Sequence, residues 1–258
     1  NILFILGLSA LITPMAIQSK ALHRDGAVVV FSALLFSLIS YFASLDRIMG
    51  SIFVTVLATY IVYAYYQEKL PSVAVGGHTS AFEKAEAFGE LHEDMVGYGP
   101  GADARAEQTG IVFALLITIG GLAVVILGGK LLVDGAIGIA RIYGMTERVI
   151  GLTIVAIGTS MPEFVTSVVA AIRKHGDVAL GNIMGSNIYN ILGIGGMTGL
   201  IQPTHVPAEI ANFDNLIMVA ASVAMFAFAS RGHRITRIEG AALLLGYVTY
   251  IFMLLAKP

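Results

Sequence analysis

Long apolar stretches separated by shorter polar ones constrain this chain more than any other feature. Hydrophobic residues make up 57% of the 258 positions and charged residues only 12%, whereas a soluble domain carries about 25% charged residues. Most apolar stretches approach or exceed the roughly 20 residues that a helix needs to cross a bilayer. Because backbone groups in lipid must bond within the protein, helices are the only spans this chain can form. The sequence therefore predicts an all-α, polytopic helical membrane protein.

The apolar stretches predict one short helix followed by seven longer ones. Their expected bounds are Asn1–Ile12, Ala27–Leu45, Ile48–Tyr66, Gly110–Tyr143, Thr146–Ile172, Val178–Ile201, Glu209–Ser230 and Thr236–Ala256. The first helix opens inside an apolar run that has no Met. We therefore expect an N-terminal truncation in mid-helix, with about seven and a half helices present.

The chain also carries an internal repeat. Residues 1–14 read NILFILGLSALITP and residues 190–203 read NILGIGGMTGLIQP, with eight identical pairs. Weaker correspondences follow at Asp25 and Asp214, Arg47 and Arg237, and Tyr60 and Tyr250. Five further predicted crossings lead from the first copy to the second, and an odd number means that the copies run in opposite directions. Inverted repeats of this kind are typical of secondary transporters, whose site lies near mid-membrane.

The repeat divides the chain into three predicted parts. Residues 1–67 form the C-terminal part of a first inverted repeat, residues 68–109 a cytoplasmic acidic loop, and residues 110–258 a complete second inverted repeat. A short acidic helix is expected at residues 80–94 of the loop. Its composition favours a solvated linker, with a regulatory cation site as the alternative.

Charge sets the expected orientation. The loops on the side of residues 68–109 carry Lys20, Arg24, Lys69, Lys84, Arg105, Arg173, Lys174, Arg231, Arg234 and Arg237. The opposite side carries only Arg47, Arg141, Arg148 and Lys257. The positive-inside rule therefore places the loop in the cytoplasm and the C-terminus outside.

A net charge of −2 without a basic patch argues against a nucleic-acid partner. Lys130 and Asp134, four residues apart, predict a structural ion pair.

A carboxylate stands inside an otherwise apolar span, in the sequence Gly158-Thr-Ser-Met-Pro-Glu163. A charge near the bilayer centre costs on the order of 3 kcal/mol, so Glu163 is a functional candidate by default. Thr159 and Ser160 precede it by four and three residues and share its helical face. Hydroxyl and carboxylate oxygens together suit hard cations such as Ca²⁺ and Na⁺.

Pro162 predicts a bend or break in the same span. It cannot donate to the carbonyl of Gly158 and its ring crowds that turn, so carbonyls near Ala156 and Gly158 become available as ligands. The alternative is that Ser160 and Glu163 form a capping box and only satisfy the amides of a half-helix. A cap in mid-membrane itself implies a broken helix that lines a cavity.

A second polar motif runs from Gly181 to Asn190. Asn182, Ser186 and Asn190 recur every four residues and form one stripe. Such residues also form ordinary hydrogen bonds between membrane helices, and both interpretations stay open for Asn182 and Asn187. For Ser186 and Asn190 a site is favoured, because the other copy of the repeat preserves Asn190 as Asn1.

These two motifs resemble the second repeat of the sodium/calcium exchanger family, within the cation/Ca²⁺ antiporter superfamily, and most of all its bacterial calcium/sodium antiporters. The family pairs a Gly-Thr-Ser-x-Pro-Glu helix with a Gly-Asn-x-x-Gly-Ser-Asn helix, here residues 158–163 and 181–187. The resemblance implies ten helices in two inverted five-helix repeats, embedded in the lipid bilayer of a bacterial inner membrane. It also implies Ca²⁺ and Na⁺ as transported ions, with no cofactor and no enzymatic activity.

The resemblance further implies a set of cation ligands. They are Asn1, the carbonyl of Ala156, Thr159, Ser160, Glu163, Ser186 and Asn190. The motif pair of the first repeat, with its own Glu, is expected upstream of Asn1, so the chain should hold about half of the site. Some members carry Asp at the position of Asn190, which leaves the ions exchanged and their ratio open.

We therefore expect a secondary transporter that exchanges Na⁺ for Ca²⁺ by alternating access. Ca²⁺/H⁺ exchange, with Glu163 as proton acceptor, is the first alternative. A channel is another, which saturable exchange would exclude. An intramembrane hydrolase that uses Ser160 is the alternative from another class, although no His lies inside a predicted span to act as its base. The sequence leaves K⁺ dependence and oligomeric state undecided.

Overall fold

The computed structural model describes residues 1–16, 20–42, 44–69, 104–232 and 234–256. Its helices are α1 (Ile2–Ile12), α2 (Lys20–Phe42), α3 (Arg47–Lys69), α4 (Ala104–Ile142), α5 (Arg148–Thr159), α6 (Met161–Ile172), α7 (Gly176–Ile188), α8 (Gly195–Ile201), α9 (Ile210–Ser230) and α10 (Arg237–Ala256). Two short strands, β1 (Met15–Ala16) and β2 (Arg234–Ile235), pair antiparallel. The predicted acidic helix at residues 80–94 lies outside the described residues.

Five helices in the described ranges, α2, α3, α4, α9 and α10, are long and apolar enough to cross a membrane. The bent pair α5 and α6 makes up a sixth span if counted as one. Helices α7 and α8 are joined by the π-helical segment Tyr189–Ile194. Their sequence is rich in amide side chains, and this stretch is not among the candidate membrane spans. These features confirm the prediction of a polytopic helical membrane protein.

Two helices begin earlier than the apolar pattern predicts. Helix α2 starts at Lys20 rather than at Ala27, and α4 starts at Ala104 rather than at Gly110. The added turns are polar but contain good helix formers, such as the sequence ARAEQ at the start of α4. Hydropathy marks the apolar part of a helix and misses such polar ends. The division of the chain at residues 67 and 109 stays a prediction.

Glycine pairs hold the two copies of the repeat together. A Cβ at Gly50 of α3 would lie 2.6 Å from the carbonyl oxygen of Gly196, and a Cβ at Gly240 of α10 would lie 2.8 Å from that of Gly7. Gly7 and Gly196 are equivalent in the repeat, and Gly50 and Gly240 are separated by the 190 residues that separate Arg47 from Arg237. The terminal helix of each copy therefore packs directly on a helix of the other copy.

The extended segments show the same exchange of partners. Met15 pairs with Ile235, and Leu45 pairs with Thr204. In the repeat, Leu45 corresponds to Ile235 and Thr204 corresponds to Met15. The pair Leu45–Thr204 is therefore the equivalent of the pair Met15–Ile235, with the two copies exchanged. A two-fold relation between the copies produces such swapped contacts. They support the repeat, whereas its inverted orientation across the membrane stays a prediction.

The glycine contacts predict a sharp difference between substitutions in apolar helices. Gly50→Ala and Gly240→Ala should each destabilise the protein by about 1–3 kcal/mol, because the added methyl group meets backbone atoms that cannot move independently. Gly138→Ala in α4 is the matched control, since nothing lies within 4 Å of its Cβ position. Thermal unfolding of the full-length protein in detergent measures the difference. Equal stability of all three variants would contradict the glycine packing.

Candidate cation-binding site

The span from Arg148 to Ile172 breaks at one residue, Ser160. Helix α5 ends before it and α6 begins after it, with a bend of 52° between them. Ser160 has a non-helical backbone, at φ −93° and ψ 9°, and Pro162 lies in the first turn of α6. Proline is tolerated there because the first amides of a helix have no helical partner. The break predicted from Pro162 is confirmed.

The break leaves two carbonyl groups without their usual helical partners. The amide of Ser160 bonds to the carbonyl of Ile157 at 3.2 Å instead of to that of Ala156. In an unbroken helix the carbonyl of Gly158 would accept a hydrogen bond from the amide of residue 162, but Pro162 has no N–H. The carbonyl of Ala156 still accepts from the Thr159 hydroxyl at 3.4 Å, and the carbonyl of Gly158 lies against Gly129 of α4. Since carbonyls without a helical partner are costly in lipid, Ala156 is the better placed candidate ligand for a cation.

The side chains at the break do not form the alternative capping box. Ser160 occupies the N-cap position of α6 but makes no side-chain cap hydrogen bond. Glu163 lies in the first turn of α6, half-buried, and its carboxylate accepts no hydrogen bond from any described residue. The hydroxyl of Thr159 donates to the carbonyl of Val155 at 2.8 Å, which leaves its oxygen lone pairs available.

A cavity of about 190 Å³ lies beside the break. Ala156 and Ser160 form part of one wall and Asn1 part of another. Aromatic rings complete the wall, since Phe4 stacks on Phe164 at a centroid distance of 5.6 Å and contacts Tyr247 at 5.1 Å. The sequence did not predict these aromatic residues as part of the site. The position of Phe164, directly after the predicted ligand Glu163, could have indicated one of them.

Asn1 and Ser186, predicted from different copies of the repeat, are in direct contact. The Asn1 amide donates to the Ser186 hydroxyl at 3.0 Å, and that hydroxyl donates to the carbonyl of Ile183 at 3.0 Å. The other end of the Asn1 side chain, Oδ1, is buried and has no hydrogen-bond partner in the described chain. A buried acceptor without a donor is unusual and costly, and a cation in the adjoining cavity would satisfy it.

Asn182, whose role the sequence left open, fastens α7 to α6. Its Nδ2 lies 2.9 Å from the hydroxyls of Thr166 and Ser167 and 3.3 Å from the carbonyl of Glu163. Asn182 thus holds the turn that carries the candidate carboxylate. Asn187 instead donates to the carbonyl of Ile183 in its own helix, at 2.7 Å.

The structure does not bring every predicted residue to this cavity. Of the predicted ligands, Asn1, Ala156 and Ser160 line the cavity, whereas Thr159, Glu163, Ser186 and Asn190 do not. Thr159 and Asn190 are exposed, and the side chain of Asn190 forms no hydrogen bond with the described residues. Among the described residues, no group of three or more His, Asp or Glu could hold a metal. The site therefore depends on one carboxylate and neutral oxygens.

Lys130 and Asp134 form no ion pair in the described part of the chain, so that prediction is wrong.

Three π-helical turns border the candidate ligands. Ile2–Leu6 follows Asn1, Gly151–Val155 precedes Ala156, and Tyr189–Ile194 contains Asn190. π-helical turns are rare and often occur at functional sites, because they shift side chains and carbonyls from their helical positions. The sequence did not predict these π-helical turns.

A bundle of apolar helices, with one span broken beside a carboxylate and a buried amide oxygen, defines a helical membrane transporter. Residues 113–256 match the family described as sodium/calcium exchanger protein. The chain belongs to the sodium/calcium exchanger family, a family of cation/Ca²⁺ antiporters and not of enzymes.

Individual relatives match nearly the whole chain. The sodium/calcium exchanger MaX1 of Methanosarcina acetivorans is 31% identical over 98% of this chain and 76% of its own length. The inner membrane protein YrbG of Escherichia coli is 30% identical over 98% of this chain and 73% of its own length. Among solved structures, the sodium-calcium exchanger NCX_Mj, soaked with 2.5 mM Na⁺ and 0.1 mM Ca²⁺, superposes with a TM-score of 0.70 at 29% identity. That match covers 98% of this chain and 71% of the exchanger.

The contacts of Asn182 predict a structural role at the carboxylate turn. Asn182→Ala should destabilise the protein by about 1–3 kcal/mol, because it leaves the buried Ser167 hydroxyl and the Glu163 carbonyl without that donor. Asn187→Ala is the matched control, since its amide bonds only to its own helix. Thermal unfolding in detergent compares the two variants. A smaller loss in Asn182→Ala than in Asn187→Ala would contradict the assignment.

Proposed function

We propose that the protein exchanges Na⁺ for Ca²⁺ across the membrane by alternating access, with the Na⁺ gradient driving Ca²⁺ export. One observation carries the proposal: Asn1, whose buried Oδ1 has no partner in the described chain, lines a cavity that the broken span also lines. Oxygen atoms from an amide and from freed carbonyls are ligands that hard cations prefer. Membership of the exchanger family supports Ca²⁺ and Na⁺ as those cations.

The proposed ligand set joins the residues at the break to those across the cavity. It comprises Asn1, the carbonyl of Ala156, Thr159, Ser160, Glu163, Ser186 and Asn190. Glu163 supplies one negative charge against the two of Ca²⁺, and burying an uncompensated charge is costly. A second carboxylate from outside the described residues is therefore part of the proposal. The transported ions are the substrates, and no cofactor is needed.

Competition for shared ligands makes the exchange obligatory in this proposal. Ca²⁺ and Na⁺ use overlapping oxygen atoms, so only one kind of ion occupies the centre at a time. Either ion offsets the charge of Glu163 and lowers the cost of closing the site around it. Without a cation the charge on Glu163 opposes closure. Only the loaded forms then change the side to which the site opens.

The proposed setting is the bacterial inner membrane. Residues 68–109 lie in the cytoplasm and the C-terminus outside, as the distribution of Lys and Arg favours. The relative from Escherichia coli, whose name describes an inner membrane protein, supports this location. The lipid bilayer is then the partner of the large exposed apolar surfaces, which include Phe31 on α2, Leu131 on α4 and Phe252 on α10.

The central test replaces the carboxylate by its neutral isostere. Glu163→Gln in the full-length protein should abolish Na⁺-driven Ca²⁺ flux in proteoliposomes, because the site then has no charge in the described chain to attract a divalent cation. Glu209→Gln, at an exposed glutamate, is the matched control and should transport like the wild type. Ca²⁺ should stabilise the wild type and the control against heat, but not Glu163→Gln. Undiminished flux in Glu163→Gln would refute the assignment.

The same vesicles identify the coupling ion. Ca²⁺ flux should require a Na⁺ gradient and should saturate with Ca²⁺ concentration. Flux that is driven by a pH gradient in the absence of Na⁺ would instead select Ca²⁺/H⁺ exchange, with Glu163 as the proton acceptor. Current without saturable exchange would select a channel.

A further inference from the structure

We propose that Arg148, Asp214 and Tyr250, here called the Asp214 cluster, position α5 and with it the candidate ligands Ala156 and Thr159. The proposal rests on the function proposed above. It assigns these three residues a role in cation affinity, although none of them belongs to the candidate ligand set.

The Asp214 cluster uses both oxygen atoms of one buried carboxylate. Arg148 donates from Nη2 and Nε to Oδ2 of Asp214 at 2.9 and 3.3 Å. Tyr250 donates from its hydroxyl to Oδ1 at 3.1 Å. The side chain of Asp214 is 6% exposed and that of Arg148 is 24% exposed. A charged pair shielded from solvent to this degree is costly to break, because the partner that remains is left buried without compensation.

Helix α5 needs such a connection, because a cavity separates it from the core. Its main packing partners are α4 and the adjoining α6. On its other side Leu152 and Ala156 form one wall of the cavity, and Asn1 and Tyr247 form the opposite wall. Direct packing therefore does not fix the width of the cavity there.

The Asp214 cluster connects α5 to the helices behind the opposite wall. Arg148 is the first residue of α5, and Asp214 and Tyr250 belong to α9 and α10. Tyr250 lies one helical turn after Tyr247, which lines the cavity. The cluster therefore spans from α5 to the helix that bears the far wall. A fixed α5 keeps the carbonyl of Ala156 within reach of a cation that also contacts Asn1. Small displacements of ligands are expensive in a binding site.

The first copy of the repeat supplies a matched comparison. Asp25, the equivalent of Asp214, lies beside Tyr60 and is paired with Arg24 at 2.7 Å. The chemical groups are the same, but Arg24 is the adjacent residue on the same helix as Asp25. This pair lies within α2, whereas Arg148 belongs to α5. Asp25→Asn makes the same chemical change as Asp214→Asn without acting on α5.

Transport by the full-length protein in proteoliposomes tests the proposal. Asp214→Asn should raise the half-saturating Ca²⁺ concentration about 5- to 150-fold, the usual range for coupling between connected sites, with little change in maximal rate. Tyr250→Phe should raise the half-saturating Ca²⁺ concentration by a smaller factor. This variant replaces Asp214→Asn as the test if Asp214→Asn does not fold. Asp214→Glu should restore most of the affinity, and Asp25→Asn should resemble the wild type. A loss confined to maximal rate or to folded yield, or an equal shift in Asp25→Asn, would overturn the proposal.

A second measurement is independent of transport. Residues 1–258 contain no cysteine. With the unsubstituted protein as the background, Leu152→Cys adds a thiol to the cavity wall. Asp214→Asn should increase its reaction rate with a water-soluble thiol reagent several-fold, and Asp25→Asn should not. Equal rates in the two backgrounds would overturn the role of the cluster. If Glu163→Gln instead transports normally, the proposed function fails while this accessibility measurement still decides whether the cluster positions α5.

Discussion

The arrangement around Ser160 follows from the cost of leaving backbone carbonyls unpaired in a membrane. Pro162 has no amide hydrogen, and Ser160 turns out of the helix, so Gly158 and Ala156 lose their usual donors. Within hydrocarbon such groups are tolerated only where they line a cavity or meet another partner. Ala156 meets this condition because it lines the cavity beside the break, and Asn1, whose Oδ1 has no partner in the described chain, lines the same cavity. A cation would satisfy both walls at once.

The same site depends on how the two copies of the repeat interlock. Asn1 precedes α1, and α1 is held by the contact of Gly7 with Gly240 in the other copy. The counterpart helix α8 is held by Gly50 in the same manner. Because each terminal helix packs on the opposite copy, neither copy can tilt without moving candidate ligands of its partner. The backbone contact of Gly7 with Gly240 therefore helps to position the helix that follows Asn1.

Local chemistry and the repeat were readable from the sequence, whereas side-chain partners were not. The break at Pro162 follows from a missing N–H, and the equivalence of Asn1 with Asn190 follows from the repeat, but the hydrogen bond between Asn1 and Ser186 was not predicted. The stripe containing Asn182 fixed its helical face but not its bonds to Thr166 and Ser167. Lys130 and Asp134 have the right spacing but do not pair, because spacing does not determine rotamers. The ion pair of Arg148 with Asp214 joins residues 66 positions apart and has no local signal.

The difference between Asp25 and Asp214 bears on how a nearly symmetric scaffold can carry out a directed cycle. If the two copies were identical in sequence, the outward-open and inward-open states would exchange the roles of the copies and have equal energies. Only side chains that differ between the copies can then bias one state. Asp25 is paired with its neighbour Arg24 on α2, whereas Asp214 is paired with Arg148 of α5. Under our proposal, the contact of Arg148 with Asp214 restrains a helix that carries candidate ligands, so a change in this contact acts directly on cation affinity.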